Sequence, residues 1–182
     1  YMYDYTYGNA GEYTWRDSFK TDPTELNPWI ADDSASEDFT DLYTGSLYSL
    51  FFDESKTGYE INGDLASGDP IAIDSEVING REYAARWQIN IEENLTWSYH
   101  PDTDISTFDT DHEVLDANDF VWTWKQALDN EWFRAVSGGG DFISAGIKNA
   151  DEYVNGLVTW EEIGIELIDD STIELEFNIQ KP

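Results

Sequence analysis

The clearest pattern of hydrophobic and polar positions lies between residues 82 and 91. Every second residue there is apolar or aromatic, at Tyr83, Ala85, Trp87, Ile89 and Ile91. Side chains of a β-strand point alternately to the two faces of a sheet, so a period of two predicts a strand with one buried face. This stretch is therefore predicted to be a central strand.

Two further segments have the alternation and turn residues of β-hairpins. Residues 47–52 form a dense apolar run, and a turn at residues 56–58 leads to a returning arm at 59–61. Residues 162–168 and 172–179 alternate on either side of the pair Asp169 and Asp170. Both segments predict antiparallel pairing. Residues 63–80, which follow the first of these hairpins, are rich in Gly, Asp and Ser and are predicted to be mostly loop.

Helical spacing occurs in three places. After Asp116, apolar residues recur at intervals of three and four, which predicts an amphipathic helix to Asp129 with a core-facing stripe of Phe120, Val121, Trp124, Ala127 and Leu128. The residues from Ser34 to Glu37 fit a capping box with Ser34 as the cap, opening a helix that ends at Gly45 and carries Phe39, Leu42 and Tyr43 on one side. A short helix is predicted around residues 149–154. Short helices against antiparallel strands indicate the mixed α+β class.

The charge of the chain narrows its range of partners. The 182 residues contain 39 Asp and Glu against 9 Lys and Arg, a formal net charge of −30. Such a surface repels phosphates, which argues against nucleic acids and anionic membrane surfaces. The charge could serve solubility or a high-salt habitat, and it could also attract cationic peptides. The sequence has no cysteine, which excludes disulfides, thiol nucleophiles and cysteine-based zinc sites.

Few residues suggest catalysis or metal binding. An acidic loop could gather oxygen ligands around Ca²⁺, but it lacks the glycine and final glutamate spacing of an EF-hand; its acidic residues are Asp102, Asp104, Asp109, Asp111 and Glu113. Glu161 and Glu162 are adjacent, whereas a glycosidase pair faces its substrate from two sides. No Ser-His-Asp set or phosphate-binding glycine loop occurs. We therefore predict no catalytic residue, no metal and no cofactor.

Four blocks of sequence, in order, resemble the solute-binding proteins that feed oligopeptides and dipeptides to ABC importers. Residues 20–28 resemble the opening pattern D-P-x-x-L-(D/N)-P of that family, and residues 36–47 its helix leading into Y-E-G-L. Residues 87–97 with 115–125 resemble Y-T-F-x-L-R…W-S-D-G…T-A-x-D-F-V-Y-S-W-K. Residues 147–156 with 163–175 resemble I-x-N-A-x-x-Y-x-x-G and L-G-V-x-x-x-D-D-x-T-L-x-V. The basic residues that the family carries before its tryptophan are replaced here by Glu92, Glu93 and Asn94.

The resemblance implies part of the first lobe of a periplasmic-binding-protein-like (class C) fold. It implies a lead-in, first strand and first helix at residues 1–44, an inserted α+β subdomain at residues 45–182, and a second lobe outside the chain. The loop before the first helix would line the ligand cleft with Trp29, Asp32, Asp33 and Ser34. A second cleft segment would contain Gly140, Asp141 and Phe142.

The function implied is capture of extended peptides, without catalysis, for an ABC permease in the membrane. The protein is expected to be a monomer at the extracellular face of the cell membrane or in the periplasm, with its secretion signal and lipid anchor outside this sequence. Two alternatives remain open at the level of sequence. The abundant aromatics are also compatible with a carbohydrate-binding module, and the acidic loop with a Ca²⁺-dependent adhesion domain.

Overall fold

The fold is given by a computed structural model that describes residues 21–41, 44–97, 114–137 and 142–182. Its elements confirm the mixed α+β class and its antiparallel pairing. The strands are β1 (Tyr48–Phe52), β2 (Tyr59–Gly63), β3 (Ile71–Ile73), β4 (Glu76–Ile78), β5 (Arg81–Asn90), β6 (Ile165–Asp169) and β7 (Thr172–Lys181). The helices are α1 (Ser34–Thr40), α2 (Ala117–Asp129), α3 (Phe133–Val136) and α4 (Ala150–Val154), with one turn of 3-10 helix at Trp160–Glu162.

Two long antiparallel strands, β5 and β7, form the centre of a five-stranded sheet. Its order is β3-β5-β7-β6, and β4 pairs with β5 beside β3. Ile89 lies opposite Ile173 and Trp87 opposite Leu175, so the apolar residues of both strands share one face. The sequence predicted β5 as well as the hairpin of β6 and β7, and the structure confirms both.

The alternation of β5 is interrupted near its start. Ala84 and Ile89 are both buried, although they are five positions apart and strict alternation would put them on opposite faces. The pairing with β7 shifts between Ala84 and Arg86, because Ala84 lies opposite Lys181 while Arg86 lies opposite Glu176. A bulge of this kind turns the strand and changes which face a residue occupies. The predicted burial of Ala85 is therefore wrong at this point, and Ala84 takes the buried position.

The segment predicted to be mostly loop, residues 63–80, contains β3 and β4. Each has only three residues, and both pair with the same edge of β5. Asp74 lies between them with φ at +52°, which breaks the edge into two pieces. Strands this short depend on a neighbour for their hydrogen bonds, so their own sequence carries little signal.

The β1–β2 hairpin confirms the other predicted pairing. Leu50 lies opposite Ile61 and Phe52 opposite Tyr59, and all four side chains are exposed on one face. The rings of Phe52 and Tyr59 stack with centroids 4.8 Å apart. The hairpin is a separate two-stranded sheet.

Helix α2 connects the two hydrophobic clusters of the core. It begins with a capping box, in which the Asp116 side chain accepts from the backbone of the first turn and the Asp119 side chain accepts from the Asp116 N–H. Val121 and Trp124 pack against both clusters. One cluster contains Leu128, Phe142 and Ile165, and the other Ile89, Ile91 and Ile173. The predicted stripe thus faces the core.

Helix α1 differs from its prediction at both ends. Its N-cap is Asp33, whose side chain accepts hydrogen bonds from the N–H groups of Ala35 and Ser36. Ser34 is the first helical residue and is exposed, so the prediction of Ser34 as the cap is wrong. The helix ends at Thr40, well before Gly45, and Leu42 and Tyr43 lie outside the described residues. None of the helices that the structure describes has the length and apolar character needed to cross a membrane.

Candidate functional site

The predicted cleft loop begins with a tight turn that follows from its Asn-Pro sequence. The carbonyl oxygen of Asn27 accepts from the N–H groups of Ile30 and Ala31, both at 3.0 Å. The Asn27 side-chain oxygen accepts from the N–H of Trp29 at 2.9 Å. Asparagine commonly stabilises a turn by bonding the backbone two residues ahead, which is the geometry here. The turn fixes the direction in which Trp29 leaves the loop.

Trp29 is anchored on its backbone and on its ring. Its carbonyl oxygen accepts from the N–H of Arg134 in α3 at 3.0 Å. Its indole stacks on Phe142, with ring centroids 5.6 Å apart and planes 10° from parallel. Phe142 in turn meets Trp124 of α2 edge to face at 5.8 Å. The loop is thereby packed against the main core of the molecule.

Asp33 closes the other end of the loop. Its Oδ1 accepts from the N–H groups of Ala35 and Ser36, both at 3.0 Å. Its Oδ2 accepts from the Ser36 hydroxyl at 2.5 Å and from the Thr24 hydroxyl at 2.7 Å. These bonds, with that from the Ser36 hydroxyl the largest cause, lower the pKa of Asp33 from 3.8 to about 2. The carboxylate is consequently occupied by its own loop and helix.

Ser36 completes this arrangement from inside the protein. It is fully buried, and its Oγ accepts from the N–H groups of Thr24 and Glu25 at 3.0 and 3.1 Å. The segment before the loop is therefore tied to the first turn of α1. We call Thr24, Asp33 and Ser36 the loop latch.

Arg134 joins the loop to two helices. Besides its backbone bond to Trp29, its guanidinium forms an ion pair with Glu37 of α1. Sequence analysis missed Arg134 and the loop latch. Arg134 lies 97 residues from Glu37, so no local pattern could reveal the pair. The latch had a weak local signal, since Thr and Ser are common near helix starts.

Asp32 lies between these two anchors. Its side chain is exposed, and neither its backbone nor its carboxylate forms a hydrogen bond to any part of the chain that the structure describes. The neighbouring Ser34 is also exposed. The site thus combines a fixed frame with a residue, Asp32, whose N–H and C=O have no partner among the described residues.

The structure brings together part of the predicted site. Trp29 and Phe142 touch, although 113 positions separate them in the chain. Phe142 is 6% exposed and its ring is covered by two indoles, so in this conformation it acts as a support. Gly140 and Asp141 lie outside the described residues.

The described residues offer little other chemistry. Within the described ranges, no three His, Asp or Glu side chains are grouped so as to hold a metal ion. The predicted Ca²⁺ loop, with Asp102, Asp104, Asp109, Asp111 and Glu113, lies outside those ranges. Glu162 binds the backbone N–H of Thr159 at 2.9 Å and caps the 3-10 turn. The Glu162 carboxylate, next to Glu161 in the sequence, therefore has a structural role in this turn.

Comparison with known structures identifies the fold. No family model matches the sequence. The fold is that of a part of the oligopeptide-binding proteins. An oligopeptide ABC transporter substrate-binding domain from Bacillus anthracis str. Ames matches with a TM-score of 0.65 and 17% identity, over 91% of this chain and 26% of that chain. OppA of Listeria monocytogenes, solved bound to peptide, matches with a TM-score of 0.62 and 21% identity, over 87% and 25%.

A third solved structure and one curated sequence agree with this assignment of the fold. The Escherichia coli murein tripeptide binding protein MppA gives a TM-score of 0.60 at 19% identity, over 88% of this chain and 26% of that chain. The periplasmic murein peptide-binding protein MppA of Escherichia coli (strain K12) is 24% identical over 102 residues, 53% of this chain and 15% of the relative. The chain thus spans about a quarter of the length of these structures. The resemblance predicted from sequence motifs is confirmed for the fold.

Proposed function

We propose that this chain is part of the first lobe of an extracellular peptide-binding protein that serves an ABC importer. Residues 1–44 would supply the lead-in and first helix, and residues 45–182 the inserted α+β subdomain. Among the solved proteins that share its fold, one is named as a murein tripeptide binding protein and another is bound to peptide. Their names describe binding rather than catalysis, so we propose a binding role without catalysis for this chain as well.

One observation in the structure supports this function most directly. Asp32 presents an N–H and a C=O without partners among the described residues, between the anchors at Trp29 and Asp33. An extended peptide is recognised by such groups, since its main chain can pair with them as a strand does. Because the frame is already ordered, little conformational entropy would be lost when a peptide binds.

The aromatic stack behind the loop supports the same reading. Phe142 contacts Trp29 of the loop on one side and Trp124 of α2 on the other. Because the loop backbone is packed against these rings, its N–H and C=O groups keep the well-defined positions that hydrogen bonding to a peptide needs. Peptide side chains would find loose, water-filled space around the main-chain contacts, which gives broad specificity.

The backbone role of Asp32 can be tested with two variants of one residue. Asp32→Pro removes the N–H, whereas Asp32→Ala removes the carboxylate and keeps the N–H. In NMR titrations with short peptides, we expect Asp32→Ala to bind like the unmodified chain and Asp32→Pro to lose binding. Equal loss in both variants would show that the carboxylate, not the backbone, makes the contact. Helix signals of α1 in the same spectra verify that each variant is folded.

The strength and selectivity of binding give a second part of the same test. One lobe provides half of a cleft, so we expect affinities in the range of about 1 mM or weaker. Peptide-induced shifts should centre on residues 29–34. Shifts caused by oligosaccharides instead of peptides, centred on the exposed Trp97 or Trp122, would favour the carbohydrate-binding alternative.

The remaining properties follow from the proposed role. The partner would be an ABC permease, and hinge closure against a second lobe would complete the site. The protein would act as a monomer at the outer face of the membrane, held by a lipid anchor, or in the periplasm. The Escherichia coli relative is named as a periplasmic protein, which supports this location.

A further inference from the structure

The described part of the chain carries far more carboxylates than it can pair. It contains thirty Asp and Glu residues and seven Lys and Arg residues, an excess of 23 negative charges. Four of the basic residues form ion pairs with described carboxylates: Arg86, Lys125, Arg134 and Lys148. Glu174 is the one buried acidic residue of the described ranges, so the other carboxylates lie at or near the surface. Their mutual repulsion opposes the compact state.

The fully buried part of the hydrophobic core, which must help to balance this repulsion, is made largely of small side chains. Half of the buried apolar residues that the structure describes are alanines, eight of sixteen. An alanine buries much less apolar area than a leucine or phenylalanine, so each contributes less free energy. The ion pairs add little, because their side chains are mostly about one-third to two-fifths exposed and surface pairs are weak.

From this imbalance we infer that the fold is salt-dependent, with a diffuse layer of monovalent cations as part of what keeps the chain folded. Screening shortens the range of repulsion from about 10 Å at 0.1 M salt to about 3 Å at 1 M. The excess carboxylates are spread over the helices and the sheet, so the requirement is for ionic strength rather than for one bound ion. This property is independent of whether the chain binds peptides.

The test is a set of thermal melts at constant neutral pH, followed by far-UV circular dichroism. Between about 0.05 M and 2 M sodium chloride, the melting temperature should rise by about 10 °C or more. Potassium chloride at the same concentrations should give the same rise. No rise, or a rise produced by millimolar Ca²⁺ alone, would overturn the inference, since the latter indicates a specific site.

Two matched variants separate screening from other effects of salt. The first replaces five exposed glutamates with glutamine, and the second replaces the same five with aspartate; the positions are Glu54, Glu76, Glu92, Glu93 and Glu166. The glutamine variant should melt higher at low salt and gain less from added salt, while the aspartate variant should respond like the parent chain.

Sucrose provides the last control, because it strengthens burial without screening charge. It should stabilise the parent chain and both variants equally. If the glutamine variant gained as much from sodium chloride as the parent chain, salt would be acting on hydrophobic burial, and the inference would fail. Each protein's spectrum in 2 M salt, measured before heating, shows whether the substitutions preserve the fold.

Discussion

At the scale of single residues, the start of α1 shows what a sequence can and cannot specify. Asp32, Asp33 and Ser34 are three consecutive residues of types that cap helices, so the sequence predicts a helix start here, but the cap it predicts, Ser34, is wrong. The choice is made by tertiary contacts. Asp33 is the residue that reaches both the Thr24 hydroxyl and the buried Ser36. The partner segment lies about ten residues away and was not predicted to fold back.

The lowered pKa of Asp33 predicts a specific loss of stability in acid. Its value of about 2 lies below the ordinary 3.8, so the unfolded chain binds this proton more readily. The stabilisation is therefore complete above about pH 4 and is lost as the pH falls through about 2. We expect the difference in melting temperature between the parent chain and Asp33→Asn to shrink over that interval.

The comparison with Asp33→Asn isolates this residue from other carboxylates. Hydrogen bonds also lower the pKa values of Asp53, Asp169 and Glu174, so the parent chain alone would report their sum. Asparagine keeps a side-chain oxygen for the cap but carries no charge. A difference that stays constant from pH 4 to pH 2 would show that the carboxylate charge contributes nothing to the latch.

At the scale of elements, the sequence predicted those whose partners are close in the chain. The β1–β2 and β6–β7 hairpins have alternation on both arms and turn residues between them, so local information suffices. Strands β3 and β4 have three residues each and obtain their pairing from β5. The bulge at Ala84 and Arg86 likewise depends on β7, about ninety residues later. A local sequence pattern therefore predicts neither the pairing of β3 and β4 nor the bulge in β5.

Gly164, at the start of β6, is predicted to be essential for the packing of this edge. A Cβ there would lie 2.2 Å from the carbonyl oxygen of Glu176 and 3.0 Å from Cβ of Lys148. The backbone of Gly164 is also bonded on both sides, to Lys148 at 2.8 Å and to Glu176 at 2.9 Å. Because backbone atoms cannot yield, Gly164→Ala should lower the free energy of unfolding by about 2 kcal/mol or more, measured by urea denaturation.

Gly45→Ala is the matched control for this substitution. Its added Cβ would meet the Leu65 side chain at 2.8 Å, and that side chain can rotate away. Alanine also restricts the unfolded chain, which favours the native state by about 0.4–1 kcal/mol where the backbone permits it. The expected change at Gly45 is therefore within about 1 kcal/mol of zero. Similar losses for both variants would mean that the close contact at Gly164 is not the cause.

At the scale of the whole molecule, the sequence indicated the class of fold through motifs that are each weak alone. What it could not give were the contacts that assemble the elements. Arg134 bonds to Trp29 across 105 residues of chain, and Arg86 pairs with Glu174 across 88. Such pairs depend on the final packing, so only the structure could show that the loop, α1 and α3 form one unit.

Helix α2 packs against both hydrophobic clusters, so we predict that it joins them into one cooperative unit, and its two tryptophans test this. Trp124 packs against both hydrophobic clusters, whereas Trp122 is 64% exposed on the other face of the same helix. Trp124→Ala should lower the free energy of unfolding by about 3 kcal/mol, the lower end for aromatic truncation because the indole is partly exposed. Trp122→Ala should change it by no more than about 0.5 kcal/mol.

Urea transitions followed by circular dichroism and by fluorescence should coincide for the parent chain and for both variants. Separate transitions in the parent chain would show that the clusters unfold independently, so α2 would not unite them.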